Sequence, residues 1–297
     1  MTQDRRRKAD ARRFQPSLDG RLEPRLLLSG TRTQIAALPG KFIIQVAGGG
    51  TKSRVVTPTG QIFDLVLTGT GSVKATGNAR TGKVDIVVQG TNQDTELTIN
   101  LMGRAKFKGS AHTYASGAVF RTNILNVNSI KVSSGTIGSI LGYRTAMLTG
   151  PITVAGTNKV ERIAFSEIAP SASINVGGDL NTLDVINNAS FSGPGTGVTT
   201  GRDLNSVYVG GNLSLADGAS ITVGRDLGLT AQPAKGTGPS GQGMVVQGNF
   251  TIGATSALKI VRNVVGSVVV QGNLTGSSRI SAAGGSGALI VSGTTTP

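Results

Sequence analysis

The chain has no Cys, no Trp, one His and only eleven aromatic residues in 297. Without thiols neither a disulfide framework nor a Cys-based zinc site can form, and His112 alone makes no histidine cluster. Charged side chains are 15% of the total, well under the roughly 25% of an ordinary globular chain, so an extended polyelectrolyte is excluded. Apolar runs are a handful of residues long, against the ~20 needed for a membrane helix, and no transmembrane segment is expected. An all-helical fold is excluded by what is abundant. The sequence holds 44 Gly, each costing roughly 1 kcal/mol in a helix interior relative to Ala. It is also crowded with Val, Ile and Thr, which favour strands. The expectation is an all-β protein.

The formal charge of +14 is unevenly placed. Residues 1–30 hold 8 basic and 4 acidic side chains, residues 31–163 hold 15 and 5, and residues 164–297 hold 6 and 6. The surplus therefore sits in the N-terminal half. A basic field of this kind attracts polyanions, among them anionic polysaccharide, lipopolysaccharide headgroups and nucleic acid. Specific nucleic-acid reading is disfavoured because the aromatics needed for base stacking are sparse. Charge that only keeps a Gly-rich strand protein soluble is the competing explanation.

The first thirty residues differ from the rest. Basic residues come first (Arg5, Arg6, Arg7, Lys8, Arg12, Arg13), and a mixed stretch then ends in Leu26, Leu27, Leu28 and Ser29. Three leucines are too few for the apolar core of a general secretory signal. Pro16 and Pro24 interrupt any long helix, so residues 1–30 are read as a basic arm, disordered or partly helical. Phe14, Pro16, Leu18, Leu22, Glu23, Pro24, Arg25, Leu27, Leu28 and Ser29 resemble the LEPR-XLL motif at the N-terminus of many large planctomycete proteins. Asp19 stands where that family often has Glu. The resemblance implies a sorting address, read by export machinery, ahead of a repetitive strand-rich body. On that basis the protein is expected to be exported, to the cell envelope, cell surface or exterior.

The body repeats. V-G-G-D-L at Val176–Leu180, T-G-R-D-L at Thr200–Leu204, V-G-R-D-L at Val223–Leu227, V-Q-G-N-F at Val246–Phe250 and V-Q-G-N-L at Val270–Leu274 are variants of one pattern. Their markers, Asp179, Asp203, Asp226, Asn249 and Asn273, recur in a near-constant step of about 23–24 residues. One further copy, V-G-G-N-L at Val209–Leu213, falls out of phase. This period suits one coil of a parallel β-solenoid, with two or three short strands per coil. Gly and Asx are turn residues, so the five markers are read as one structural column of stacked turns, with calcium binding as the lesser alternative. Like charges at Asp179, Asp203 and Asp226 would repel, and Arg202 and Arg225 are placed to compensate. A solenoid of 61–297 behind an N-terminal cap of 31–60 is expected, with roughly ten coils and a rod about 50 Å long. A Gly- and Pro-rich loop from Pro233 to Gly243 interrupts one coil.

Chemistry is scarce. His112 has no nucleophile context, and no carboxylate pair stands out for acid–base work. No catalytic residue, cofactor or metal ligand is assigned, and the protein is read as not an enzyme. One cluster invites a ligand: Arg104, Lys106 and Lys108 alternate along a strand-like run and would share a face. It reads as an ordinary solvated face, as a stripe for an anionic polymer, or as part of a lyase if Asp85, Asp94 and Glu96 lie beside it. The functional expectation is a structural or adhesive solenoid that binds anionic surface polysaccharide or lipopolysaccharide through its basic half. A polysaccharide-active, lyase-like β-helix is the alternative. A third possibility is a passenger whose last coil needs an oligomeric partner, for which an uncapped final rung would be the sign.

Overall fold

Short runs of Val, Ile and Leu alternate with Ser, Thr and Asn, and each run stops at Gly or Asx. Such runs build short strands with one buried face. The computed structural model describes residues 50–57, 60–78, 81–104, 123–228 and 242–297, together with 43–46, and for 43–46, 104 and 242 the backbone alone. All of these belong to one compact unit, residues 35–297. The sorting motif and the rest of residues 1–30 lie outside the described residues. The described residues form 25 strands and one short 3-10 turn at Ser277–Arg279, and the protein is an all-β parallel solenoid of about seven turns.

The first strands do not coil. β1 (Ile43–Val46), β2 (Lys52–Val56), β3 (Gln61–Thr68) and β6 (Glu96–Arg104) pair antiparallel in the order β1-β2-β3-β6. β4 (Ser72–Asn78) and β5 (Lys83–Gln89) form a separate antiparallel pair. The cap is therefore longer than the expected 31–60 and includes strands that spacing alone assigned to coils. This is why seven turns replace ten, giving a parallel stack of about 35 Å at the usual strand spacing.

From there the chain winds around three walls. The first wall runs from β6 through β8 (Ser139–Leu148), β10 (Val160–Ile168), β12 (Leu180–Val185), β15 (Leu204–Val209), β18 (Gln242–Val246), β21 (Ser267–Val270) and β24 (Leu289–Val291). The second begins where Leu125–Val127 pair with the last residues of β8, followed by the last residues of β10. It continues through β13 (Ala189–Ser192), β16 (Leu213–Ala216), β19 (Phe250–Ile252), β22 (Leu274–Thr275) and β25 (Thr295–Thr296). The third wall starts at β5, followed by β7 (Leu125–Val132), β9 (Pro151–Val154), β11 (Ser173–Val176) and β14 (Gly197–Thr200). It ends with β17 (Ser220–Val223), β20 (Ala257–Val264) and β23 (Ile280–Gly285). Every pair within the turns is parallel and nearly in register.

In-register stacking lines up like with like. Ile152, Ile174, Val198, Ile221 and Leu258 make one inward column on the third wall, all buried. On the second wall Ala189, Leu213, Phe250 and Leu274 form another, again buried. Each fully buried aliphatic side chain contributes roughly 1.5–3 kcal/mol, and the columns join in one continuous core.

One coil carries an insertion. Leu227 stacks on Leu204 and Met244 on Val207, so the chain from Leu227 to Met244 spans an interval that the preceding coil crosses from Leu204 to Val207. The surplus has been let into the first wall there, at the place of the expected Gly- and Pro-rich loop; residues 229–241 lie outside the described set.

Candidate functional site

The five turn markers do not form one column. Asp179, Asp203 and Asp226 stand at the corner leading into the first wall, where the column continues to Asn263. Asn249 and Asn273 stand at the corner leading into the second wall, in a ladder running Asn188, Asn212, Asn249, Asn273 and Thr294. The out-of-phase copy, at Asn212, is a regular member of this second ladder. The step from Asp226 to Asn249 is the short interval between corners, seen also from Asp203 to Asn212, lengthened by the insertion after Leu227.

Both ladders use the same bond. The side-chain Oδ1 of one coil accepts the N–H of the next marker, at 2.8 Å from Asn212 to Asn188, Asn249 to Asn212 and Asn273 to Asn249. In the acidic column Asp203 and Asp226 donate to the carboxylate below at 3.0 and 3.2 Å, and Asp226 accepts both N–H and Nδ2 of Asn263. Arg225 reaches Asp203 through Nε at 3.0 Å and through Nη2, and its Nη2 lies 3.5 Å from Asp179, as does Nε of Arg202. Hydrogen bonding to Asp203, with the surrounding carboxylates, raises the Arg225 pKa further. These carboxylates are engaged by N–H groups and guanidinium. Among the described residues no group of three or more His, Asp or Glu is placed to hold a metal ion.

Of the expected basic stripe, Arg104 ends β6, opposite Gln61. Lys106, Lys108 and His112 lie outside the described residues. The acids considered beside the stripe are dispersed. Asp85 is on the third wall, accepting from Asn128 and Ser129, whereas Glu96 opens β6 on the first wall and accepts from Thr98. Asp94 is in an exposed turn closed by Asn92.

A different cluster on the first wall was not picked out by motif. Phe165 pairs with Gly142 and Glu167 with Met147, so β8 places Tyr143–Ala146 where β10 has Ser166 alone. The excess, Tyr143–Arg144–Thr145, bulges outward, with Arg144 in the left-handed region at φ 62°. Gly142 permits the fold-back, since a Cβ there would stand 2.7 Å from Ala146 Cβ. The Tyr143 ring, 45% exposed, has the guanidinium of Arg162 at 5.7 Å and that of Arg144 at 6.0 Å from its centroid. Arg162 also binds the nearly buried carboxylate of Asp184, while its Nε is buried without a partner. Asp184 stacks on Tyr208 in the next coil. Tyr143, Arg162, Asp184 and Tyr208 thus occupy four successive turns of one wall. Arg162 to Asp184 and Asp184 to Tyr208 are each one coil in sequence, and that spacing is the signal that would have found them.

The remaining charge cluster is a staple in the cap. Asp64 is 1% exposed and takes Arg54 Nε at 2.6 Å, Arg54 Nη2 at 2.9 Å and Lys52 Nζ at 2.7 Å. Burial alone would raise the Asp64 pKa, but the hydrogen bonds and charges of Arg54 and Lys52 outweigh it and leave the carboxyl below its ordinary value.

No family model, no curated protein and no solved structure matches this chain. Among the described residues, no helix is long and apolar enough to cross a membrane.

Proposed function

We propose that this protein is an exported structural or adhesive solenoid of the cell envelope, without catalytic activity, that holds anionic polysaccharide along its basic half. The observation that carries this reading is the Tyr143 bulge. An exposed aromatic ring offers a stacking surface for a sugar face, and two guanidiniums beside it offer donors matched to carboxylate or sulfate. The surplus of basic residues between 31 and 163 lies in the same part of the chain and supplies the long-range attraction. A rod of backbone ladders needs little side-chain chemistry to present such a surface. The N-terminal resemblance to a sorting motif supports the location.

The test is binding of the full chain to polygalacturonate, dextran sulfate and neutral dextran across a salt series, with release of sugar fragments followed in the same samples. Binding to the two anionic polymers that falls steeply with salt is expected. Tyr143→Ala with Arg144→Ser should weaken it by about tenfold, corresponding to ~1.4 kcal/mol. Neutralising Arg104, Lys106 and Lys108 together should weaken it further. No binding at low salt would overturn the proposal, and fragment release would establish the lyase alternative. Deleting Phe14–Ser29 and tracking location tests the address separately; unchanged export would refute it.

A further inference from the structure

The Tyr143 cluster is one end of a longer row. Leu141, Ala164, Asp184 and Tyr208 pair in register across β8, β10, β12 and β15. The residues just before them, Ile140, Ile163, Leu183 and Val207, are buried in the core, so this column lies on the outer face of the first wall. Tyr143 follows two residues after Leu141, and Tyr208 closes the column half-buried. Ala164 is no part of the core yet is fully covered, and Asp184 is nearly so. Arg162, which reaches both the Tyr143 ring and the Asp184 carboxylate, therefore lies along the wall instead of standing off into solvent. The next outward residue after Tyr208 is Val245, apolar and buried, so the row stops there.

A second polar row runs beside it on the same three strands. Asn181 Nδ2 donates to Glu161 Oε2 at 3.0 Å, and Asn205 Nδ2 donates to Asn181 Oδ1 at 3.0 Å. Both rows repeat once per coil along the rod axis. From β8 to β15 is three strand spacings, ~14 Å. Each unit of an extended 1,4-linked hexose chain advances by about one such spacing, ~5 Å, so the first and fourth of four successive sugars fall at the levels of Tyr143 and Tyr208. The row also has a direction. Arg144 and Arg162 flank Tyr143, with Asp184 offsetting one of the two, whereas Tyr208 lies in the half of the chain whose charges balance.

We propose that the ligand of this wall is an extended 1,4-linked acidic glycan laid along the rod axis over four sugars. Its first sugar stacks on Tyr143 with the carboxylate toward Arg144 and Arg162, and its fourth stacks on Tyr208. This deepens the reading of the wall as a face for anionic polysaccharide and rests on it. Asp184 acts as a positioning residue, since it holds the Arg162 guanidinium beside the Tyr143 ring.

The test is calorimetric titration of the full chain at low salt with galacturonate oligomers of two, three, four and six units, beside polygalacturonate. Affinity should rise about tenfold from two units to four, the usual scale for one further aromatic anchor, and change little from four to six. Tyr208→Ala should abolish that rise and leave the two-unit oligomer bound as before. Tyr208→Phe, which keeps the ring, should restore the rise. Far-UV circular dichroism and the melting midpoint report whether each variant folds, and the phenylalanine variant reads the same ring if the alanine variant does not. Polymer binding with no gain between two and four units would overturn this proposal alone. So would a gain that survives Tyr208→Ala, one that Tyr208→Phe also loses, or affinity that keeps climbing as steeply from four units to six. No binding of polygalacturonate would overturn both this proposal and the reading beneath it.

Discussion

The glycine before Asn212, Asn249, Asn273 and Thr294 of the second ladder can be tested directly. At Gly248 a Cβ would stand 2.4 Å from Asn212 Oδ1 and 2.9 Å from the Gly211 carbonyl group. Gly211, Gly272 and Gly293 meet the Asn below at 2.5, 2.5 and 2.3 Å in the same way. None of the four has a positive φ. The requirement is therefore steric: an empty Cβ position lets the amide of one coil reach the N–H of the next. Gly248→Ala forces the Asn212 side chain aside. Overpacking costs ~1–3 kcal/mol and the displaced hydrogen bond ~1 kcal/mol, so a loss of ~2–4 kcal/mol is expected. In a body of this size that lowers the melting midpoint by roughly 5–15 °C. Gly284→Ala is the comparison, because its Cβ meets only Asn263 Oδ1, at 3.2 Å; a change within ~0.5 kcal/mol is expected there. Adding Asn212→Ala to Gly248→Ala should cost less than the two singles together, by ~1 kcal/mol in a double-mutant cycle of urea unfolding. Equal effects of Gly248→Ala and Gly284→Ala, or strict additivity in the cycle, would refute the steric account.

Two further perturbations address charge. Arg225→Met leaves Asp179, Asp203 and Asp226 facing one another with Arg202 alone beside them. The variant should unfold more readily at low salt and regain stability as salt is added, whereas the natural chain should respond less, as read by thermal melts over a salt series. Asp64 sets a pH dependence whose sign follows from its lowered pKa. Its contribution is complete above the ordinary Asp range, near pH 3.9, and is lost as pH falls through the folded value, because the unfolded chain takes up the proton first. Asp64→Asn should therefore be clearly less stable than the natural chain at about pH 7, and the gap should narrow at about pH 2. A gap that widens on acidification would contradict the role of Arg54 and Lys52.

The parallel stack was legible from residue 179 onward because its determinants are local. Val, Ile and Leu alternate along each run, and Gly with Asp or Asn closes it. Strand, turn and a coil of about 23–24 residues therefore follow from neighbours in sequence. The coil length read from Asp179 to Asp226 agrees with the stacked register of Leu180 on Leu204. The antiparallel cap was not legible from the same cues. β2 and β5 alternate just as β11 and β17 do, and period-two burial is indifferent to the direction of the partner strand.

The two corners show where local pattern stops being sufficient. Arg202, Arg225 and Arg262 precede the markers of one column, while Gly211, Gly248 and Gly272 precede those of the other. Even so, only the stacking of Leu227 on Leu204 reveals that an insertion had brought Asp226 and Asn249 into false step. The Tyr143 bulge has the same origin. Nothing in Gly142–Tyr143–Arg144–Thr145 predicts that it leaves the wall, since that depends on β10 supplying Ser166 alone opposite Tyr143–Ala146. By itself the sequence determined the strands, the turns, the coil length and the placement of charge, which are properties of neighbouring residues. Which turns share a corner and which side chains from Tyr143 to Tyr208 meet on one wall were decided only by tertiary register. That register is set by inward packing between residues a full coil apart in the chain.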